Sequence, residues 1–270
     1  MVAQIQRIPG LTLGAAPGLT PQVSTVETRR IAALPGLVHY FEPGRLSGSP
    51  LSGLDRATPG NLISATNAAL TVAEDEDYND EPVLDLPYPV VGGVVYDAGA
   101  CPTGSFTAII AADFGADIYA ANPSHSNLLI MADGSTVIRS FRYRSTSGGQ
   151  FLFTDNYPAT SAGNILADTA YYPTGDVPAV FVVSYDEATR MSYIGLNSAV
   201  ASQAYEHTTT SAGALPDSCR LYLGSGPNAS VGWSGRIASA LILDRCYHID
   251  GYQDLLAREV AAMMAKFGIS

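Results

Sequence analysis

Lysine is almost missing from this chain: Lys266 is the only one, and every other base is arginine. Charge of either sign is scarce, at 14% of residues against roughly 25% in an average soluble protein. What charge there is leans acidic, to a net −11. An acidic surface repels phosphates, so nucleic acid is not expected as a partner, and anionic lipid is disfavoured for the same reason. Three cysteines, Cys101, Cys219 and Cys246, stand far apart. No two have metal-ligand spacing, and they read as separate buried thiols rather than a disulfide framework. No run of about 18 apolar residues is present, so no membrane span is expected. The first residues lack the continuous apolar stretch of a signal peptide.

Apolar side chains, by contrast, make up 47% of 270 residues. That is enough for one large core, and it argues against disorder. Residues 1–33 differ from the rest. Pro9-Gly10-Leu11-Thr12 returns as Pro17-Gly18-Leu19-Thr20, and no charge falls between Arg7 and Glu27. Pro-Gly pairs punctuate turns and break helices. The segment reads as an extended N-terminal arm that could reach about 100 Å at roughly 3.3 Å per residue. We expect it to dock on a neighbouring subunit or a larger assembly.

From residue 34 the pattern is short strands and turns. Leu37 to Phe41, Ser105 to Phe114, Leu128 to Met131, Thr136 to Tyr143, Phe151 to Phe153, Val177 to Tyr185, Met191 to Leu196, Arg220 to Gly224 and Arg236 to Leu243 are predicted strands. Asp133-Gly134 signals one hairpin and Asp186 to Thr189 joins another. Many short strands with frequent turns predict an all-β sandwich over residues 34–270. Only the end breaks this pattern. Tyr252, Leu255, Leu256, Val260, Met263, Met264 and Phe267 recur at helical spacing. A C-terminal α-helix over 250–267 follows, capped by Asp250 with Gln253 as its partner and stopped at Gly268. Its apolar stripe should lie on the sandwich.

The last fifty residues resemble the closing segment of LamG/concanavalin A-like lectin domains, the jelly-roll sandwiches found in many phage and bacterial surface proteins. The residues that carry the likeness are Leu221-Tyr222-Leu223-Gly224-Ser225, then Trp233-Ser234-Gly235-Arg236-Ile237-Ala238, then Leu241-Ile242-Leu243-Asp244-Arg245 and the terminal helix. Upstream, Leu34 to Leu46 is similar to the usual opening strand, Leu54-Asp55-Arg56 to the loop after it, and Ser105 to Ile110 to the first core strand. Gly195-Leu196-Asn197-Ser198 departs from the pattern, which ends its strand pair in Asn-Gly. The resemblance implies two antiparallel sheets. It implies little about ligand, because this fold serves many functions.

Some glycosidases of that superfamily carry Glu-x-Asp-x-x-Glu on one strand, which brings two carboxylates within about 5 Å. No glutamate of this chain begins that motif. There is no Gly-x-Ser-x-Gly elbow and no phosphate-cradling glycine loop. The chain is therefore read as a binder and not an enzyme, with no cofactor. Asp75, Asp77 and Asn79 are spaced like the opening of a calcium loop, but the turning glycine and the closing glutamate are missing. A solvated acidic loop is expected there, with Ca2+ as the lesser alternative. Arg139, Arg142 and Arg144 crowd one strand, with Arg142 and Arg144 on one face. They are candidates for an interface with an acidic neighbour. Tyr119, Tyr157, Tyr171 and Tyr172 are loop tyrosines suited to stacking on sugars, and Trp233 is placed in the core.

These features converge on one expectation. The chain is a virion structural protein, a phage capsid decoration or tail-appendage subunit. Residues 1–33 hold it to other virion proteins, and its lectin-like sandwich contacts host surface glycans. A homo-oligomer is expected, a trimer before a dimer. A free carbohydrate-binding module or adhesin is the alternative, and a glycoside hydrolase a weaker one.

Overall fold

The computed structural model describes residues 25–58, 60–89, 92–97, 101–117, 126–144, 150–155, 164–168, 175–207, 214–227, 232–249 and 251–270. The chain divides into two compact units, 1–33 and 34–270. Residues 1–24, most of the segment read as an extended arm, lie outside the described residues; its last part, Val26–Ala32, is a helix, α1. Its start follows from local chemistry: the Thr25 hydroxyl accepts from the Thr28 N–H at 3.0 Å, and Glu27 sits in the first turn while Arg29 and Arg30 sit in the last.

Among the described residues the second unit is two antiparallel sheets of eight strands each. In chain order the strands are β1 (Leu37–Phe41), β2 (Ser52–Leu54), β3 (Leu62–Ala65), β4 (Thr71–Asp75), β5 (Glu81–Leu86), β6 (Val94–Tyr96), β7 (Phe106–Ala112) and β8 (Ser126–Asp133). They continue as β9 (Thr136–Arg144), β10 (Gln150–Asp155), β11 (Asn164–Asp168), β12 (Ala179–Asp186), β13 (Met191–Leu196), β14 (Gln203–Glu206), β15 (Arg220–Leu223) and β16 (Gly235–Leu243). The first sheet runs β14-β13-β12-β7-β16-β5-β4, with β1 beside the far half of β16; the second runs β11-β10-β9-β8-β15-β6-β3-β2. Every apolar run predicted as a strand is one. The strands that periodicity missed (β2 to β6, β11 and β14) are short or carry charges that hide the alternation.

Alternation builds the core. Phe106, Ala108, Ile110 and Ala112 of β7 and Ala179, Phe181, Val183 and Tyr185 of β12 meet Phe141, Phe151, Phe153, Leu221 and Leu223 of the other sheet. Trp233 is fully buried among them, 4.9 Å from Phe114 between ring centres. Yet β7 and β12 are buried at every residue, which one apolar face cannot explain. Their other face is covered by a second helix, α2 (Gln253–Lys266), which packs on both strands through Leu256, Val260 and Met263. The approach to α2 is fixed by two hydroxyls that replace apolar groups on that face. Thr107 accepts from the Tyr247 N–H at 2.8 Å and donates to the Arg245 carbonyl, while Ser184 joins Thr107 at 2.9 Å to His248 at 2.8 Å.

The ends of α2 correct one cap and support the other. Asp250 lies outside the described residues, and the N-cap position is Tyr252, which makes no side-chain cap. Gln253 instead donates to the His248 carbonyl at 3.3 Å. At the far end Gly268 has φ +67, and the Ile269 N–H reaches the Met264 carbonyl at 2.9 Å, a Schellman closure. Asn79 donates to the Lys266 carbonyl at 3.0 Å. A Cβ on Gly268 would lie 2.7 Å from the Asn79 Oδ1. Among the described residues no helix is long and apolar enough to cross a membrane.

Two outcomes are expected. Gly268→Ala should lose about 1–2 kcal/mol in urea unfolding, from left-handed strain and the crowded Asn79. The second concerns His248, which burial lowers to about 4. Between about 4 and its ordinary value near 6.5 the unfolded chain binds a proton that the folded chain does not, so stability rises with pH across that window. This contribution is complete above about 6.5 and is lost as pH falls towards 4, by up to about 3 kcal/mol. Melting curves from pH 7 to pH 4.5 should be steeper in pH for the native chain than for His248→Gln.

Candidate functional site

Antiparallel pairing brings four strand ends to one end of the first sheet: the exits of β5 and β7 and the entries of β12 and β16. Residues far apart in sequence therefore meet in a cleft of about 430 Å3 lined by Asp77, Asp85, Tyr88, Asp117, Asp176 and Arg236, among others. That is within the range of small-ligand sites.

Arg236 organises this end. Register sets it directly across from Asp85, and the β16 carbonyl of Arg236 accepts from the Asp113 N–H at 3.0 Å. The Asp113 carboxylate, fully buried, accepts from the Arg236 backbone N–H at 2.6 Å and from its Nε at 2.5 Å. Nη1 donates to Asp75 at 2.7 Å and Asp77 at 2.9 Å, and Nη2 to the Asp176 carbonyl at 3.2 Å. The guanidinium also lies 5.3 Å from the centre of the buried Tyr78 ring. Gly235 makes the close approach possible: at φ +128 its Cβ would stand 2.5 Å from the Asp113 carbonyl oxygen. Trp233 adds a bond from its indole N–H to that same carbonyl at 2.6 Å.

The electrostatics follow from this packing. Burial pushes the Asp113 carboxyl up to about 6, against the pull of Arg236. Burial also raises Asp85, with Arg236 opposing and Asp75 adding to the rise. Arg236 has its donors committed to aspartates, so the open wall of the cleft keeps the acidic character of Asp85, Asp117 and Asp176. Tyr88, nearly half exposed, offers the one aromatic surface among the lining residues named above. Chemically, this is a polar wall of hydrogen-bond acceptors beside an aromatic face.

The sequence-derived candidates fare differently. Arg139 is corrected: it shares parity with Phe141 and Tyr143, so it points inward and is only 1% exposed. It donates to Asp155 at 2.8 Å and to the Gly104 carbonyl at 2.8 Å, beneath the Tyr185 ring, and so cannot dock a neighbour. Arg142 does lie on the opposite face, but it too is buried, with Nη2 3.4 Å from the Thr154 hydroxyl. Arg144 pairs in β9 with Gln150, and its side chain lies outside the described residues.

The acidic segment from Glu74 to Glu81 is mostly exposed, as expected of a solvated acidic turn, with Asp75 closing β4, Tyr78 buried and Glu81 opening β5. Asp75 and Asp77 face Arg236 and Asn79 caps α2, so this trio is not arranged around a cation. Among the described residues no three His, Cys, Asp or Glu groups converge on a possible metal position. Tyr119, Tyr157, Tyr171 and Tyr172 lie outside the described residues. Sequence reasoning missed Arg236, Asp113, Asp85 and Tyr88 as a group. The available signal was opposite charges placed where apolar strands begin or end.

Comparison with solved structures decides the architecture. The fold is a two-sheet antiparallel β-sandwich. The chain is similar to domain 4 of a GH43 extracellular arabinanase from Geobacillus stearothermophilus, in complex with arabinotriose, with TM-score 0.55 and 12% identity over 82% of this chain and 98% of that domain. It is also similar to Trypanosoma rangeli sialidase in complex with sialic acid, with TM-score 0.57 and 14% identity over 86% of this chain. A mutant of the same sialidase with trans-sialidase activity gives 0.56 and 14% over 88%. The chain spans only 37% of either sialidase. At such identities the likeness is one of fold. The finer LamG resemblance rests on the sequence motifs alone. No protein-family model matches the chain, and no curated protein matches it in sequence.

The arrangement makes Arg236 the group to test. Arg236→Met leaves Asp113 buried without its partner and should cost about 3–5 kcal/mol in equilibrium unfolding. Adding Asp113→Asn should restore part of that loss, a coupling that a double-mutant cycle reads directly.

Proposed function

We propose that this chain is a non-enzymatic glycan-binding protein of a virion, a phage capsid decoration or tail-appendage subunit. Residues 1–33 anchor it to other virion proteins, and the sandwich presents its cleft to host surface glycans. The observation that carries the binding reading is the cleft itself, an exposed Tyr88 beside a wall of carboxylate acceptors. Aromatic faces stack on sugar rings while carboxylates accept their hydroxyl protons, the combination of an apolar body and placed polar groups that ligand sites use. The arabinotriose held by the similar arabinanase domain supports a saccharide as occupant.

The non-enzymatic reading is supported by the state of the carboxylates. Glycoside hydrolysis needs an acid that reaches the glycosidic oxygen and a second carboxylate across the bond. Asp113, the carboxyl raised furthest, is fully buried behind Arg236, and the glutamate motif is missing. The virion reading rests on the N-terminal segment and on the LamG-like motifs, and it carries the expectation of a homo-oligomer, a trimer before a dimer. A free carbohydrate-binding module is the second reading, favoured because the chain spans nearly all of the similar arabinanase domain.

A glycan array followed by titration tests the cleft. Tyr88→Ala should weaken the best ligand at least tenfold, about 1.4 kcal/mol, without changing the melting curve. Slow hydrolysis of that ligand, abolished by Asp85→Asn, would overturn the non-enzymatic reading. Removing residues 1–33 should abolish incorporation into particles and leave glycan binding unchanged. Binding by a monomer that never associates with particles would favour the free module.

A further inference from the structure

Cys101 and Cys219 stand 118 positions apart by their numbers, yet the fold sets them side by side. The Leu215 N–H donates to the Thr103 carbonyl at 2.7 Å, which lays the segment before β15 along the segment before β7. The Cys219 N–H closes a turn on the Pro216 carbonyl at 2.9 Å, and Arg139 holds the Gly104 carbonyl from within at 2.8 Å. Both side chains belong to the same apolar cluster, and Cys219 is near enough to Cys101 to act on its thiol. Both are free thiols here, with Cys219 wholly buried and Cys101 at 8% exposure. Cys246 is buried elsewhere, on the segment that leads into α2.

We propose that Cys101 and Cys219 form a disulfide when the protein meets a small-molecule disulfide oxidant, stapling the β6–β7 connection to the start of β15 at one end of the sandwich. Cys101 lies on the connection from β6 to β7 and Cys219 immediately before β15, so the bond ties that connection to the start of β15. The cleft lies at the other end of β7, and the staple leaves it unchanged. The steps balance as ordinary exchange. The thiolate of Cys101, the more exposed of the pair, attacks oxidised glutathione and releases one glutathione. The thiolate of Cys219 then attacks the Cys101 sulfur of the mixed disulfide and releases the second. The two protons end on the released glutathiones, and the pair is oxidised by two electrons while the glutathione disulfide is reduced by two.

Burial, and the Cys219 sulfur beside it, push the Cys101 thiol up, so little thiolate exists in the folded protein and exchange there is slow. The bond should form readily during folding, while both thiols are open to solvent.

Peptide mapping tests this without a variant. The full-length chain is unfolded, reduced and refolded with a glutathione redox buffer, then alkylated under denaturing conditions. The expected result is a peptide linking Cys101 to Cys219, with Cys246 as the single alkylated cysteine. The oxidised protein should melt about 5–10 °C higher than the reduced one, and dithiothreitol should reverse the shift. Three alkylated thiols after refolding would overturn the proposal. So would a glutathione adduct that persists on Cys101 beside a free Cys219, or a link through Cys246. In Cys219→Ser the same treatment should stop at glutathionylated Cys101, with no rise in melting temperature.

Discussion

An arginine and an aspartate at the junction of β16 and β7 hold together much of what is distinctive here. Asp113 is the first residue beyond an apolar strand, and Arg236 the second residue of another. A buried carboxylate without a partner is costly enough that the site would neutralise or refuse to form. With Arg236 supplying both its backbone N–H and its Nε, the same carboxylate becomes a clamp. The clamp aligns β7 with β16 where their register is interrupted between Ile237 and Ser239. It also draws in Asp75 and Asp77 from the β4–β5 connection and the Asp176 carbonyl from the approach to β12.

That clamp also explains why the cleft is open to a ligand. The guanidinium is already surrounded by aspartates, so it acts as scaffold, and the remaining acceptors face outward. Strand pairing sets the cleft's position, while the loops β5 to β6, β7 to β8 and β11 to β12 supply its wall. This is the usual division of labour between a rigid scaffold and the loops it carries.

A second constraint is the double burial of the first sheet. Its central strands face the opposite sheet on one side and α2 on the other, which is why they read as unbroken apolar runs while strands further out alternate or carry charge. Where polar groups do occur on the helix-covered face, as at Thr107 and Ser184, each is matched to a backbone group or to His248. The helix is fixed by its exit more than by its entry. Gly268 supplies the left-handed residue and Asn79 reaches across from the β4–β5 turn to the Lys266 carbonyl. An element of the sandwich thus caps the helix that covers it.

Much of the fold was legible because it is written in local pattern. Apolar runs of β7, β12 and β16, the turn at Gly134 and the helical spacing after Tyr252 each follow from hydrophobic periodicity and turn chemistry, which act over a few residues. The site was not legible in the same way. Asp75 and Asp77 read as an acidic turn with a passing likeness to a calcium loop, and only the fold, which brings β16 beside them, turns them towards an arginine. Arg139 looked like surface because charge usually is, and its parity with Phe141 was the overlooked sign that it points inward. By itself the sequence determined an acidic, lysine-poor β-sandwich closed by a helix. Tertiary structure alone decided which charges meet, which cysteines touch and where the cleft opens. Many of those relations join residues more than 100 positions apart, and they come into being only when strand order and register are set.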